Sequence, residues 1–132
     1  GGVGNETGGK VKFDHAGNIC FVGTSESYNL IASNGAFKTT HGGGTKDAFI
    51  AKFNSIGNRL WSTYYGGDSY DLGNDISIDK WNNIFLFGTT NSSNNIATTS
   101  VHKPTLGISG YDAFIDAMKK ILSKHQFQTS YL

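Results

Sequence analysis

Apolar and polar residues alternate strictly in Lys10-Val11-Lys12-Phe13-Asp14 and again in Asp75-Ile76-Ser77-Ile78-Asp79, the period expected of a strand whose two faces differ. Asn18-Ile19-Cys20-Phe21-Val22 and Asn83-Ile84-Phe85-Leu86-Phe87 are instead unbroken apolar runs of strand length, which predicts strands buried on both faces. A third pair of runs is Asp47 to Phe53 and Asp112 to Met118; a fourth is Leu60 to Tyr65 and Phe127 to Leu132. Between them, Asp14-His15-Ala16-Gly17-Asn18 and Asn54-Ser55-Ile56-Gly57-Asn58 join an Asx residue to a glycine that tolerates positive φ, so both read as hairpin turns. Residues 26–46 and 91–111 are rich in Ser, Asn, Thr and Gly and read as surface loops on one rim, short of apolar anchors and the most mobile parts of the chain. The stretch Ala113 to His125 has some helical propensity, but its correspondence with Asp47 to Phe53 predicts strand.

That correspondence is general. Sliding the chain by 65 positions lays Gly1-Gly2 on Gly66-Gly67, Gly8 on Gly73, Asp14 on Asp79, Asn18-Ile19 on Asn83-Ile84 and Gly23-Thr24 on Gly88-Thr89. Asn29, Ile31 and Ala32 fall on Asn94, Ile96 and Ala97, and Asp47-Ala48-Phe49-Ile50 falls on Asp112-Ala113-Phe114-Ile115. Roughly 19 of the first 53 positions are identical at this offset, against about 3 or 4 expected by chance, so the chain is a duplication. The fourth runs align after a two-residue insertion. Two copies follow, residues 1–65 and 66–132, each with four strands. A four-stranded antiparallel meander repeated at fixed period, with inner strands apolar on both faces, is what a β-propeller blade requires, because both of its faces pack on neighbouring blades. The predicted fold class is all-β: two propeller blades in tandem.

Composition narrows the function. Eleven Lys and Arg against ten Asp and Glu leave a net charge of +1, so no broad field recommends nucleic acid or an anionic membrane as a partner. No apolar run reaches the length of a membrane-spanning helix, and a single cysteine, Cys20, permits no intramolecular disulfide. Aromatic residues at 13% argue against disorder. The chain begins Gly1-Gly2, without an initiator Met or a signal peptide, and reads as a processed product or an excerpt of something longer.

With the residues laid out, a resemblance emerges. Asp-Ala-Phe-Ile-Ala-Lys-Phe-Asn-Ser-x-Gly (47–57), Trp-Ser-Thr-Tyr-Tyr-Gly-Gly (61–67), Asp71, Gly73-Asn74, Asp79, Asn83-Ile84 and Gly88-Thr89-Thr90 together resemble the seven-bladed β-propeller repeat family, the SBBP repeat, found in long bacterial surface or secreted proteins. The resemblance covers the chain twice and implies an extracellular scaffold. It implies no reaction, since the family offers no catalytic residues to carry over.

Candidate chemistry is sparse. Asp68, Asp71, Asp75 and Asp79 crowd one stretch, and the first three are weak candidates for calcium, which takes six to eight oxygens. Their spacing matches no EF-hand loop, and Asp14 and Asp79 sit where Asx turns need them. Asp47 and Asp112 precede the third strand of each copy, where a carboxylate can tie loop N–H groups. His15, His41, His102 and His125 have no counterparts at the offset and read as surface residues. Gly42-Gly43-Gly44-Thr45-Lys46 precedes a strand rather than a helix, so it lacks the helix N-terminus that holds phosphate. Cys20, inside an apolar strand, reads as an inert small hydrophobe. Trp81, Tyr28, Tyr70 and Tyr111 lie at turns or loops and are candidate sugar-stacking platforms, whereas Trp61 opens a strand and reads as packing. Asn5-Glu6-Thr7 and Asn91-Ser92-Ser93 match the glycosylation sequon.

The reading is a non-catalytic, extracellular or cell-surface propeller module with no cofactor; a carbohydrate-binding propeller is the alternative. Two blades leave an apolar face at each end, which predicts partners in further blades of the same protein or in copies of the chain, joined head to tail into a ring or filament. Lys10 and Lys12 occupy positions that Asp75 and Ser77 hold in the other copy, so Lys10, Lys12 and Asp75 are candidate contacts between chains. Glycans are the other partner class; nucleic acid and membrane insertion are not expected.

Overall fold

The computed structural model describes residues 1–97, 105, 107, 110–121 and 124–131. Eight strands run in order: β1 (Glu6–Phe13), β2 (Ile19–Ser25), β3 (Asp47–Phe53), β4 (Arg59–Tyr65), β5 (Asp71–Ile78), β6 (Ile84–Thr90), β7 (Asp112–Ile121) and β8 (Lys124–Tyr131). They form two four-stranded sheets, β1-β2-β3-β4 and β5-β6-β7-β8, each antiparallel throughout. No helix occurs among the described residues, so Ala113 onward is strand as the duplication requires.

The first strand of each copy begins earlier than alternation predicts, at Glu6 and Asp71 rather than Lys10 and Asp75. The cause is a shift of register between Gly8 and Val11 and, equivalently, between Gly73 and Asp75. A bulge breaks the period of two, so a reading by alternation stops at it. The insertion is also visible in the pairing: Phe49 faces Tyr64, while Phe114, 65 residues on, faces Tyr131, 67 residues on.

The hairpins rest on one device used three times. Asp14 Oδ1 accepts from the Ala16 and Asn18 N–H groups at 2.9 and 2.8 Å, Asp79 Oδ1 from Trp81 and Asn83 at 2.9 Å each, and Asn54 Oδ1 from Ile56 and Asn58 at 3.2 and 2.9 Å. Gly17 (φ 78°), Gly57 (φ 86°) and Asn82 (φ 64°) supply the left-handed residue each turn needs. Asp14 is further held by Lys52 Nζ at 2.6 Å. Burial raises its carboxyl, but hydrogen bonds from Lys52 and Asn18 outweigh that and hold it well below the usual carboxylate range. Lys52→Met leaves this buried carboxylate without its cation and is expected to cost about 1.5–3 kcal/mol at neutral pH, read from the urea midpoint.

Which face each residue takes follows from the register. In the first sheet Val22 pairs with Ile50 and Ala48 with Tyr65 on one face; Phe21 pairs with Ala51 and Phe49 with Tyr64 on the other. The first face, with Cys20, packs on Ile76, Ile84, Leu86, Phe114 and Met118 of the second sheet to form the main core. At the 65-residue offset these five are the counterparts of Val11, Ile19, Phe21, Phe49 and Phe53, which lie on the opposite face of the first sheet. The sheets therefore stack head to tail, front of one on back of the next, which is blade packing.

The long loops depart from expectation. Both leave the same rim, but Ile31 and Ile96 are buried, one beneath each, and residues 26–46 lie along the outer edge of β4. There Ser33 N–H donates to Ser62 O at 2.9 Å and Tyr64 N–H to Lys38 O at 3.1 Å. An identical Ile in each copy is the apolar anchor that composition hides, and an edge strand that would otherwise expose N–H groups is covered. The expectation of mobility for 26–46 is corrected accordingly; most of 98–109 lies outside the described residues.

Candidate functional site

The rim where the two sheets meet carries a buried polar knot. Asp47, at the start of β3, accepts from Gly42 N–H at 2.5 Å, so the loop is tied as a carboxylate in that position predicts. Asp71, at the start of β5, accepts from Gly67 N–H at 2.8 Å and Ser92 Oγ at 2.7 Å. Between them runs the crossover Gly66–Gly67, whose Gly66 carbonyl accepts from Lys38 Nζ. A Cβ on Gly66 would lie 2.5 Å from the Asp47 carboxyl, and one on Gly42 would lie 2.2 Å from Gly67 O. Only glycine allows these approaches, which is why Gly-Gly stands there.

Both carboxyls are fully buried. Burial pushes Asp47 up to about 7, against the Gly42 hydrogen bond and the Lys38 charge. It raises Asp71 too, against hydrogen bonds from Thr90, Ser92 and Gly67. His41 joins the knot with Nδ1 at 3.8 Å from Asp47 Oδ1 and its ring between Tyr28 and Tyr64, at centroid distances of 4.7 and 5.9 Å. Its side chain is buried, so the surface assignment for His41 is corrected; burial also lowers its basicity. A lone histidine inside a polar loop gives no periodic signal, and its counterpart is Leu106. The knot has perturbed titratable groups, but they are sealed from solvent, and its geometry is that of a seam between blades.

Half of the same arrangement recurs at each end of the chain. Glu6, the counterpart of Asp71, accepts from Ser25 Oγ at 3.0 Å and from Ser27 Oγ. Asp112, the counterpart of Asp47, accepts from Gly107 N–H at 2.6 Å. Ser27/Ser92, Lys38/Lys103 and Gly42/Gly107 are identities at the same offset, the signal by which sequence could have found the knot.

The other candidates scatter. Asp68 accepts from Ser93 N–H and Asn94 Nδ2 at 3.1 and 2.9 Å, Asp71 is in the knot, and Asp75 accepts from the adjoining Ile76 N–H at 2.7 Å. The three do not converge, and among the described residues no group of His, Cys, Asp and Glu is placed to hold a metal ion. Trp81 stands 69% exposed on the β5–β6 turn under Lys80 Nζ, 4.4 Å from the ring centroid. Tyr28 and Tyr70 lie at the opposite rim, where Tyr28 Oη donates to Gly44 O and Lys46 Nζ sits 5.8 Å from the Tyr70 ring. Tyr111 is exposed on that rim ahead of β7. The aromatic candidates thus make no common platform. Lys10 and Lys12 are exposed on β1, and no ion pair within the chain joins either to Asp75 among the described residues. His15 N–H donates to Asn82 Oδ1 at 3.0 Å, linking the first turns of the two sheets; His102 lies outside the described residues, and His125 lies in β8. Cys20 is buried, its thiol pushed up to about 11 by that burial.

The remaining feature is a groove of about 290 Å³ on the free face of the first sheet, lined by Phe21, Ile31, Phe49, Ala51 and Phe53 with Glu6 and Arg59 at its margin. The matching face of the second sheet is filled by the first sheet. On comparison with known proteins, residues 60–97 match the SBBP family, a beta-propeller repeat. The matched stretch takes in β4, the crossover, β5 and β6, so it straddles the boundary between the sheets and includes the Gly66–Gly67 and Asp71 side of the knot. No curated protein matches this chain.

Proposed function

We propose that this chain, which carries a beta-propeller repeat of the SBBP family at residues 60–97, is a non-catalytic structural module of an extracellular or cell-surface propeller, completed by head-to-tail packing with further blades. One observation carries the reading: equivalent faces of the two sheets have opposite fates. Ile76 in the second sheet is 1% exposed because the first sheet covers it, while its counterpart Val11 is 49% exposed with nothing upon it. An apolar face that fits a blade inside the molecule and stands bare at its end is a blade-docking face. The titratable groups at the rim favour a structural role too, because they are buried between sheets rather than open to a substrate. The surface setting rests on the resemblance to bacterial surface repeats.

A carbohydrate-binding role needs aromatic faces grouped on one surface, and Trp81 stands at the rim opposite Tyr28 and Tyr70. Titration with simple monosaccharides is expected to leave the emission of Trp61 and Trp81 unchanged, and a glycan array is expected to stay silent. A saturable emission change with one sugar class overturns the scaffold reading in favour of the lectin.

A further inference from the structure

We infer that Glu6 with Gly1–Gly2 and Asp112 with Gly107 are the two halves of a polar seam, and that a second copy of this chain joins them. The inference rests on the head-to-tail reading above and names the contact that aligns it. Inside the molecule the complete seam is on view. The giving half is Asp47, held by Gly42, with Lys38 reaching across to Gly66 O; the receiving half is Gly66–Gly67 and Asp71, with Ser92 hydrogen-bonded to Asp71. The halves touch so closely that Gly66 and Gly42 cannot carry side chains.

Each half has a duplicate that finds no mate in its own chain. The second sheet repeats the giving half, with Asp112 drawn onto Gly107. The first sheet repeats the receiving half, with Glu6 gathering Ser25 and Ser27 and with Gly4 N–H donating to Ser27 Oγ at 2.9 Å. The receiving half is therefore preformed, and the glycine pair that admits the Asp47 side is present again as Gly1–Gly2.

The apolar faces beneath the two halves are matched in size as well as place. Within the chain, the small Cys20 and Val22 meet the face that holds Leu86 and Phe114. Between chains, their counterparts Phe85 and Phe87 are larger, and the receiving face is hollowed to suit, with Ala51 where the second sheet has Asp116 and a groove of about 290 Å³ beside it. Large knobs meeting a deeper hole is continuity of the internal interface rather than a general stickiness. Charge then sets register: the seam lets only one vertical alignment place a carboxyl against the glycine pair.

The test is sedimentation velocity with two single variants. Glu6→Lys damages only the receiving half and Asp112→Lys only the giving half, and each alone is expected to self-associate at least about tenfold more weakly than the parent. Mixed in equal amounts, one intact half from each chain remains, so a 1:1 dimer is expected that grows no further. Glu6→Gln and Asp112→Asn, which keep shape, are expected to give the same pattern in milder form, and a cooperative urea transition for each variant establishes that it folds. Variants that assemble as the parent does, or a mixture that forms no 1:1 species, overturn the seam while leaving head-to-tail packing in place. A parent chain that is monomeric at every concentration overturns both.

Discussion

Phe114→Ala is expected to destabilise the chain by about 3–5 kcal/mol, the largest effect of any single truncation here. Phe114 has no exposed surface, packs in the core shared by the two sheets and stacks on Tyr65 from the first sheet, with ring centroids 5.0 Å apart and planes 28° apart. A Cβ placed on Gly88 would fall 2.4 Å from its ring, so the strand beside it is already in contact, and no neighbour can move in to fill the space left. The loss reaches beyond one sheet, since Tyr65 also donates from its hydroxyl to Ile96 O at 2.8 Å across the interface. Phe13→Ala is the control. Phe13 is 69% exposed on β1, and its truncation is expected to change the urea midpoint by less than about 0.5 kcal/mol equivalent. Equal losses at the two positions would mean that the sheets do not share a core.

Stability is expected to fall as pH rises from about 5 to 7, by about 1–3 kcal/mol. Asp47 has its carboxyl raised to about 7 by burial, and Asp71 is raised for the same reason. In that window the folded chain holds protons that the unfolded chain, with ordinary carboxyls, has released, so deprotonation favours unfolding. For Asp47 alone the ceiling is about 4 kcal/mol. His41 works the other way: lowered by burial, it binds fewer protons folded than unfolded below its ordinary value, so its contribution is present above that value and lost as pH falls. It trims the slope without reversing it, one group against two. Asp14, Glu6, Glu26 and Asp79 are all lowered, so their contributions are lost only at more acid pH, below the ordinary carboxylate values. Asp47→Asn keeps the acceptor for Gly42 and removes the titration, so its urea midpoints should be flatter across pH 5 to 7. A parent whose stability rises steadily across that range contradicts the buried knot.

How far the sequence foretold this can be followed residue by residue. The four-strand unit was legible because Ile19 to Val22 and Ile84 to Phe87 are too apolar to face water on either side, and because Asp14 and Asp79 mark equivalent turns. The starts of β1 and β5 were hidden by bulges that interrupt alternation just where Gly8 and Gly73 stand. Burial of Ile31 and Ile96 was hidden for another reason: one apolar residue in a polar loop has no period, and only the tertiary fold shows that it plugs a sheet face. The rim knot sat between these cases. Asp47 and Asp112 were legible as ties for the loop, and the tie to Gly42 and Gly107 is what the structure shows. Asp71 was misdirecting, because crowding with Asp68 and Asp75 suggested a cation, whereas each of the three turns to a different partner. What the crowding masked was its pairing with Glu6 at the offset, an acid for an acid, with Ser27 and Ser92 alongside.

The solution mass is the most direct measure of whether the bare faces are docking faces. Sedimentation velocity over a wide concentration range, at neutral pH, is expected to show species heavier than the 14.2 kDa chain, growing with concentration as a head-to-tail contact requires. A single, cooperatively folding 14.2 kDa species at every concentration contradicts completion of the propeller by copies of this chain.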